Sequence, residues 1–106
     1  MAPPEKQRRY PRVGLPKGLM VAWQAGGERI VSKIETIGLG GLFIQAPTPP
    51  VVGTILKLFF RLPDGDFRAR AVVRNSEPGT GMGVEFTGMD YEARARLIQV
   101  LKRLLS

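Results

Sequence analysis

The sequence predicts a mainly β fold: a small six-stranded antiparallel β-barrel followed by a C-terminal α-helix. Apolar and polar residues alternate with a period of two in successive short segments, and glycine or proline ends each segment, as is typical of antiparallel strands. From Asp90 onward the apolar spacing becomes that of a helix. Short strands at this spacing favour a closed barrel, because closure leaves no unpaired sheet edge.

The first three strands are predicted at residues 18–24, 28–35 and 41–45. The glycines of residues 25–27 indicate a hairpin turn between the first two, because glycine adopts positive φ without steric cost. Alternation assigns five apolar residues to the inner faces of these two strands: Leu19, Val21, Trp23, Ile30 and Ile34.

Residues 46–53 contain three prolines and predict a loop, since proline cannot sit inside a ladder. Strands are then predicted at 54–62, 67–75 and 82–87, separated by turn sequences rich in Pro and Gly. Their inward residues are Leu56, Leu58, Phe60, Leu62, Phe67, Ala69, Ala71, Val73, Met82, Val84 and Phe86. Their outward cations are Lys57, Arg61, Arg68, Arg70 and Arg74, either a basic binding stripe or the solvated side of a barrel.

Residues 90–105 predict the helix, which we expect to cover one mouth or flank of the barrel. Asp90 is a suitable N-cap, because its carboxylate can accept from the unpaired N–H groups of the first turn. The apolar stripe favours core packing, with a partner-binding face or dimer seam as the alternative. It consists of Tyr91, Leu97, Ile98, Leu101, Leu104 and Leu105.

Composition argues against an enzyme. The chain has neither cysteine nor histidine, which removes Ser-His-Asp and Cys-His catalysis and the usual zinc sites. No pair of acidic residues is predicted to be buried together, so we expect no catalytic residues, no metal and no cofactor. No apolar run approaches the length of a membrane span, and residues 1–7 lack the apolar region of a signal peptide. We therefore expect a cytoplasmic protein.

The net charge of +7 predicts an anionic partner. Residues 1–7 are predicted to be a flexible tail, and residues 8–106 a single domain. Four basic residues near the N-terminus could bind such a partner, or they could simply form a solvated tail. They are Lys6, Arg8, Arg9 and Arg12.

Two short motifs are spaced like the two halves of one binding site. Residues 8–12 read RRYPR, and residues 36–44 read TIGLGGLFI. A basic arm followed by a glycine turn in a β-rich chain resembles the PilZ domain, the bacterial receptor module for cyclic di-GMP. In that family the arm reads RxxxR and the turn D/N-x-S-x-x-G. The segments at 41–44, 62–65 and 81–86 also follow the family's order, so the resemblance covers nearly the whole chain.

The resemblance implies a barrel with a C-terminal helix and a site for cyclic di-GMP. Arg8 and Arg12 would bind phosphate and guanine, with Arg9 as an added phosphate contact. Thr36 stands where the family has Asp or Asn, and Gly38 where it has Ser. The full set of implied ligand-binding residues is Arg8, Arg9, Arg12, Thr36, Gly38, Gly40 and Gly41.

Three functions follow as hypotheses. The first is a cyclic di-GMP receptor that signals to a partner protein when its arginine arm becomes ordered. The second, motivated by Thr36 and Gly38, is a PilZ-like interaction module that binds no nucleotide; residues 38–41 would then be only a bulge or a turn with unusual φ. The third is a basic barrel that binds nucleic acid. The inward alternation of most aromatic residues disfavours it, because single-strand binders present stacking rings.

Overall fold

The structure, a computed structural model, describes residues 12–14, 19–61 and 65–105, of which residues 12–14 and Leu105 are described by their backbone alone. Within these residues, strands precede one helix, so the predicted mainly β chain with a C-terminal helix is confirmed. The elements are β1 (Arg12–Gly14), β2 (Met20–Gln24), β3 (Arg29–Gly38), β4 (Gly41–Gln45), β5 (Ile55–Phe60), β6 (Phe67–Glu77), β7 (Gly81–Gly88) and α1 (Tyr91–Leu105).

Six of the strands close into an antiparallel barrel in the order β3-β2-β5-β6-β7-β4, and β4 returns to pair with β3. The long strand β3 makes closure possible, because its first half pairs with β2 and its second half with β4. The short strand β1 also pairs with the second half of β3, on the edge opposite β4. The predicted six-stranded barrel is thus confirmed, with β1 as an additional strand outside the ring.

The core fills the barrel with the inward residues of the alternating pattern. Leu42, Ile44, Leu56, Leu58 and Met82 are fully buried. The Trp23 indole N–H, also inside, donates to the Ser32 hydroxyl at 3.0 Å, so two polar groups that would otherwise be buried alone satisfy each other.

Ile30 lies on the same face of the sheet as its buried partner Trp23, as predicted, but the residue is 41% exposed and is not part of the core. Ile30 lies opposite Trp23, close to the hairpin turn at residues 25–27, where the rim of the barrel is open. Strand β3 also continues three residues beyond the predicted end at residue 35. Its extension carries it through Thr36 to Gly38, so the first half of the glycine motif is strand and not turn.

Helix α1 begins as predicted, because the Ala93 N–H donates to Asp90 Oδ1 at 2.7 Å. Leu97 and Leu101 are buried, and the helix packs against β6 and β1. The assignment of Tyr91 to the buried stripe is wrong, since its side chain is 90% exposed. Ala93 takes that place, because Ala93, Leu97 and Leu101 follow one another at intervals of four residues, whereas Tyr91 points away from this row.

The predicted inward residue Leu62 and the side chain of Leu105 lie outside the described residues. None of the helical segments in the described part of the chain is long and apolar enough to cross a membrane.

Candidate ligand-binding site

The two sequence motifs meet at the second half of β3. On one edge of this strand, Arg12 lies opposite Gly38 and Gly14 opposite Thr36. On the other edge, Thr36 lies opposite Phe43 of β4. The backbone at Arg12 is therefore adjacent to the glycine motif, as one binding site requires. Arg8 and Arg9 lie outside the described residues, and the structure describes no side-chain contact of Arg12.

A β-bulge turns Thr36 toward the outside of the barrel. The register shifts between Ile34 and Thr36, which leaves Glu35 as an extra residue. Ile34 and Ile37 are both buried although they are three residues apart, a spacing that regular alternation forbids and a bulge permits. Since Phe43 lies between two buried residues of β4, it and its cross-strand neighbour Thr36 are both on the outer face.

The hydroxyl of Thr36 is buried and unsatisfied. Its Oγ1 atom has no hydrogen-bond partner among the residues that the structure describes. Buried polar groups in folded proteins are bonded in the large majority of cases, and leaving one unbonded costs about 1–3 kcal/mol. This hydroxyl can donate one hydrogen bond and accept others, but because Oγ1 is covered, a ligand would reach it only after a local movement of the chain.

Gly41 is required by the barrel itself. A Cβ built at this position would lie 2.0 Å from the carbonyl oxygen of Val84, across the β4–β7 pair. The carbonyl of Gly40 accepts a hydrogen bond from the Phe86 N–H at 2.9 Å, which ties the turn to β7. None of Gly38, Gly40 and Gly41 has positive φ, so the alternative that these glycines supply unusual φ is wrong. Close approach of backbones explains Gly41.

A second polar surface lies on the outer faces of β2, β3, β5 and β6. Cross-strand pairing places Arg29 beside Gln24, Gln24 beside Lys57 and Lys57 beside Arg70. The next row runs from Val31 through Ala22 and Phe59 to Arg68. We call the exposed cations of this surface the cationic face: Arg29, Lys33, Lys57, Arg61, Arg68 and Arg70.

The predicted outward direction of Lys57, Arg61, Arg68 and Arg70 is confirmed. Arg74 is also exposed, as predicted, but it sits at a bulge and its charge is paired with Glu85 of β7, with Nη2 and Oε1 2.7 Å apart. Sequence reasoning missed Arg29 because its place beside β5 depends on the β2–β3 register. The available signal was the position of Arg29 directly after the hairpin turn, on the polar side of the alternating pattern.

Among the described residues, no three Asp or Glu side chains lie close enough together to hold a metal ion.

A family model for the PilZ domain matches residues 6–103. The chain belongs to the PilZ domain family. The match spans both motifs, from the arginine arm through the β3–β4 turn, and continues into the helix. Comparison with curated proteins finds no significant match.

The PilZ barrel is also found in solved structures. The Bacillus subtilis inhibitor of motility, MotI/DgrA, superposes with a TM-score of 0.73 at 25% identity, over 97% of this chain and 56% of that one. The K. pneumonia MrkH–c-di-GMP complex gives 0.72 at 20% identity, over 92% and 51%. A second MrkH structure, described as a c-di-GMP-dependent transcription regulatory factor, gives 0.69 at 18%, over 92% and 51%. The PilZ chain therefore spans only slightly more than half of these proteins, and the likeness to MrkH is one of fold.

Proposed function

We propose that this PilZ domain is a cyclic di-GMP receptor without catalytic activity. The observation that carries the proposal is the register of Arg12 opposite Gly38, next to the unsatisfied hydroxyl of Thr36. The family membership supports the same ligand, and the PilZ-fold protein MrkH has been solved as a complex with c-di-GMP.

The chemistry of the ligand suits these residues. Cyclic di-GMP carries two phosphates and two guanines, and an arginine fork donates paired hydrogen bonds to either while its flat face stacks on a base. Arg8 and Arg12 take these roles, with Arg9 on a phosphate. The Thr36 hydroxyl accepts from a guanine N–H, so the ligand satisfies the group that the protein leaves unbonded.

Signalling follows from the position of the arm. A ligand held by both the arm and the barrel orders the arm against β3, and this changes the surface offered to a partner protein. The ligand can shift the ratio of the two arm positions only by the ratio of its affinities for them, so its preference for the docked arm sets how complete the switch is.

Calorimetric titration with cyclic di-GMP tests the proposal, with GTP and a single-stranded oligonucleotide as controls. We expect saturable binding to cyclic di-GMP alone. Arg8→Ala and Arg12→Ala should each abolish it without changing the melting temperature, whereas Arg94→Ala removes one exposed helix cation and should bind like the parent. Equal affinity of the Arg12→Ala and Arg94→Ala proteins would contradict the role of the arm.

A PilZ interaction module that binds no nucleotide is the second candidate, favoured by Thr36 and Gly38 in place of the family's Asp/Asn and Ser. Losing two polar contacts of about 1–3 kcal/mol each weakens binding by roughly thirtyfold to ten-thousandfold. If the parent protein gives no heat and the double variant Thr36→Asp/Gly38→Ser binds, this function replaces the first. If neither binds, these two positions are not the cause.

A further inference from the structure

We propose that the cationic face is a docking surface for an acidic protein segment with an apolar centre. This surface is separate from the candidate nucleotide site. Its central strand β5 lies three strands from β4 in either direction around the six-stranded ring, so β4 and β5 occupy opposite sides of the barrel. The inference therefore stands whether or not the domain binds cyclic di-GMP.

The charges of the cationic face are not neutralised by the protein. Within the described residues, none of its six cations forms an ion pair with a carboxylate. Asp66 and Asp90 stand at its margins, and Oδ1 of Asp90 already accepts from the helix N-terminus. Glu28 and Glu35, before and near the end of β3, are two further exposed carboxylates. Six cations against these four carboxylates leave an excess of positive charge, which is greatest on β5 and β6 and attracts an anionic partner.

Phe59 holds Arg29 in place and lies at the outer limit of a cation–π interaction with Arg68. The guanidinium of Arg29 lies 3.8 Å from the centre of the Phe59 ring, and that of Arg68 lies 6.0 Å from it on the neighbouring strand. Stacking on a ring fixes the plane of a guanidinium and leaves its N–H edge free. An arginine held this way loses little side-chain entropy on binding, and its edge fits the two oxygens of a carboxylate.

The shape of the surface allows a peptide to settle across it. Two hollows, of about 680 and 580 Å³, lie on either side of a ridge formed by Arg29, Phe59 and Arg68. The first contains Lys57 and Arg70, and the second combines Arg61 with apolar side chains.

The exposed apolar side chains of this surface favour a protein partner over nucleic acid. Val31 and Met20 are 63% and 40% exposed beside the second hollow, and arginine next to exposed aliphatic and Met side chains is typical of the centre of protein interfaces. The only aromatic ring on the outer faces of these four strands, within the described residues, is Phe59, which Arg29 already covers. A single strand of nucleic acid needs free rings on which to stack its bases.

Fluorescence anisotropy with a labelled synthetic peptide, in which glutamates flank a Leu-Phe pair, tests the inference at about 0.15 M salt. A peptide of glutamates alone and an oligothymidylate of equal charge are the comparison probes. We expect saturable binding of the first peptide, weaker binding of the second and none of the third. Amide NMR shifts of the unmodified protein should map the contact to β2, β5, β6 and the first half of β3.

The double variant Arg29→Ala/Arg68→Ala should weaken peptide binding about tenfold or more, while cyclic di-GMP binding stays as in the parent. The matched control Arg94→Ala/Lys102→Ala removes the same charge from exposed positions on α1 and should bind the peptide like the parent. Equal weakening by the control, no saturable binding, or tighter binding of the oligothymidylate would each overturn the inference, the last in favour of a nucleic-acid partner.

Discussion

Replacing Gly41 with alanine separates the structural role of the motif's last glycine from a role in ligand binding. The added Cβ would lie 2.0 Å from the Val84 carbonyl oxygen and 3.1 Å from the Cα of Glu85. Real Cβ atoms essentially never come within 3.0 Å of a heavy atom outside their own and the adjacent residues, so β4 and β7 must separate by about 1 Å at this point. A hydrogen bond of 2.9 Å, such as Phe86 N–H to the Gly40 carbonyl, does not survive such a shift.

The cost has two parts. Forcing an extra carbon into a packed site costs about 1–3 kcal/mol, and each ladder hydrogen bond lost adds about 1 kcal/mol. We therefore expect Gly41→Ala to lower the free energy of unfolding by about 2–4 kcal/mol, or the melting temperature by roughly 10–20 °C.

Urea and thermal unfolding followed by Trp fluorescence measure this change, because the single tryptophan, Trp23, is buried in the core. Gly27→Ala is the matched control. A Cβ there meets no atom within 4 Å and the residue has no positive φ, so stability should stay within about 0.5 kcal/mol of the parent. A Gly41→Ala protein that melts like the parent would refute the packing argument. If that protein also failed to bind cyclic di-GMP, Gly41 would be a ligand contact.

Three further changes test other contacts. Ser32→Ala leaves the buried Trp23 indole N–H without its acceptor and should lower the urea-unfolding free energy by about 1–3 kcal/mol. Thr36→Val removes an unsatisfied hydroxyl; stability should hold or rise by up to about 1 kcal/mol, while calorimetry should show weaker cyclic di-GMP binding, and an unchanged affinity would exclude the hydroxyl from the site. Asp90→Ala removes the cap of the Ala93 N–H and should cost about 0.5–2 kcal/mol in thermal unfolding, with Asp90→Asn retaining most of the stability.

Alternation predicted most of the barrel because the inside of a small closed sheet is uniformly apolar. Leu56, Leu58 and Phe60 on β5 follow the pattern without exception. The pattern failed at two places where burial does not alternate. Ile30 is exposed at the rim of the barrel. The bulge at Glu35 interrupts the alternation of β3 just before the glycine motif. A bulge depends on the register between two strands, and register is not visible in either strand alone.

The sequence predicted more of the candidate nucleotide site than of the cationic face. The adjacency of Arg12 and Gly38 followed from the motifs and their resemblance to a family, and the strand register agrees with it. The position of Arg29 over Phe59 joins residues thirty positions apart on strands that are not consecutive in the chain. Such a contact depends on the order of strands around the barrel, which composition and periodicity do not contain.

Because β1 lies outside the ring, we expect it to detach from β3 more easily than any strand of the barrel. Its three residues pair with β3 alone, and the barrel closes through the pairings of the other six strands. Peeling β1 away would therefore break a few ladder bonds and its contact with α1, and would leave every barrel seam intact. Amide protons of β1 should exchange with solvent at rates set by local opening, far faster than those of β5 or β6. We therefore expect the segment that carries Arg12 to detach and reattach by local opening, while the barrel stays folded.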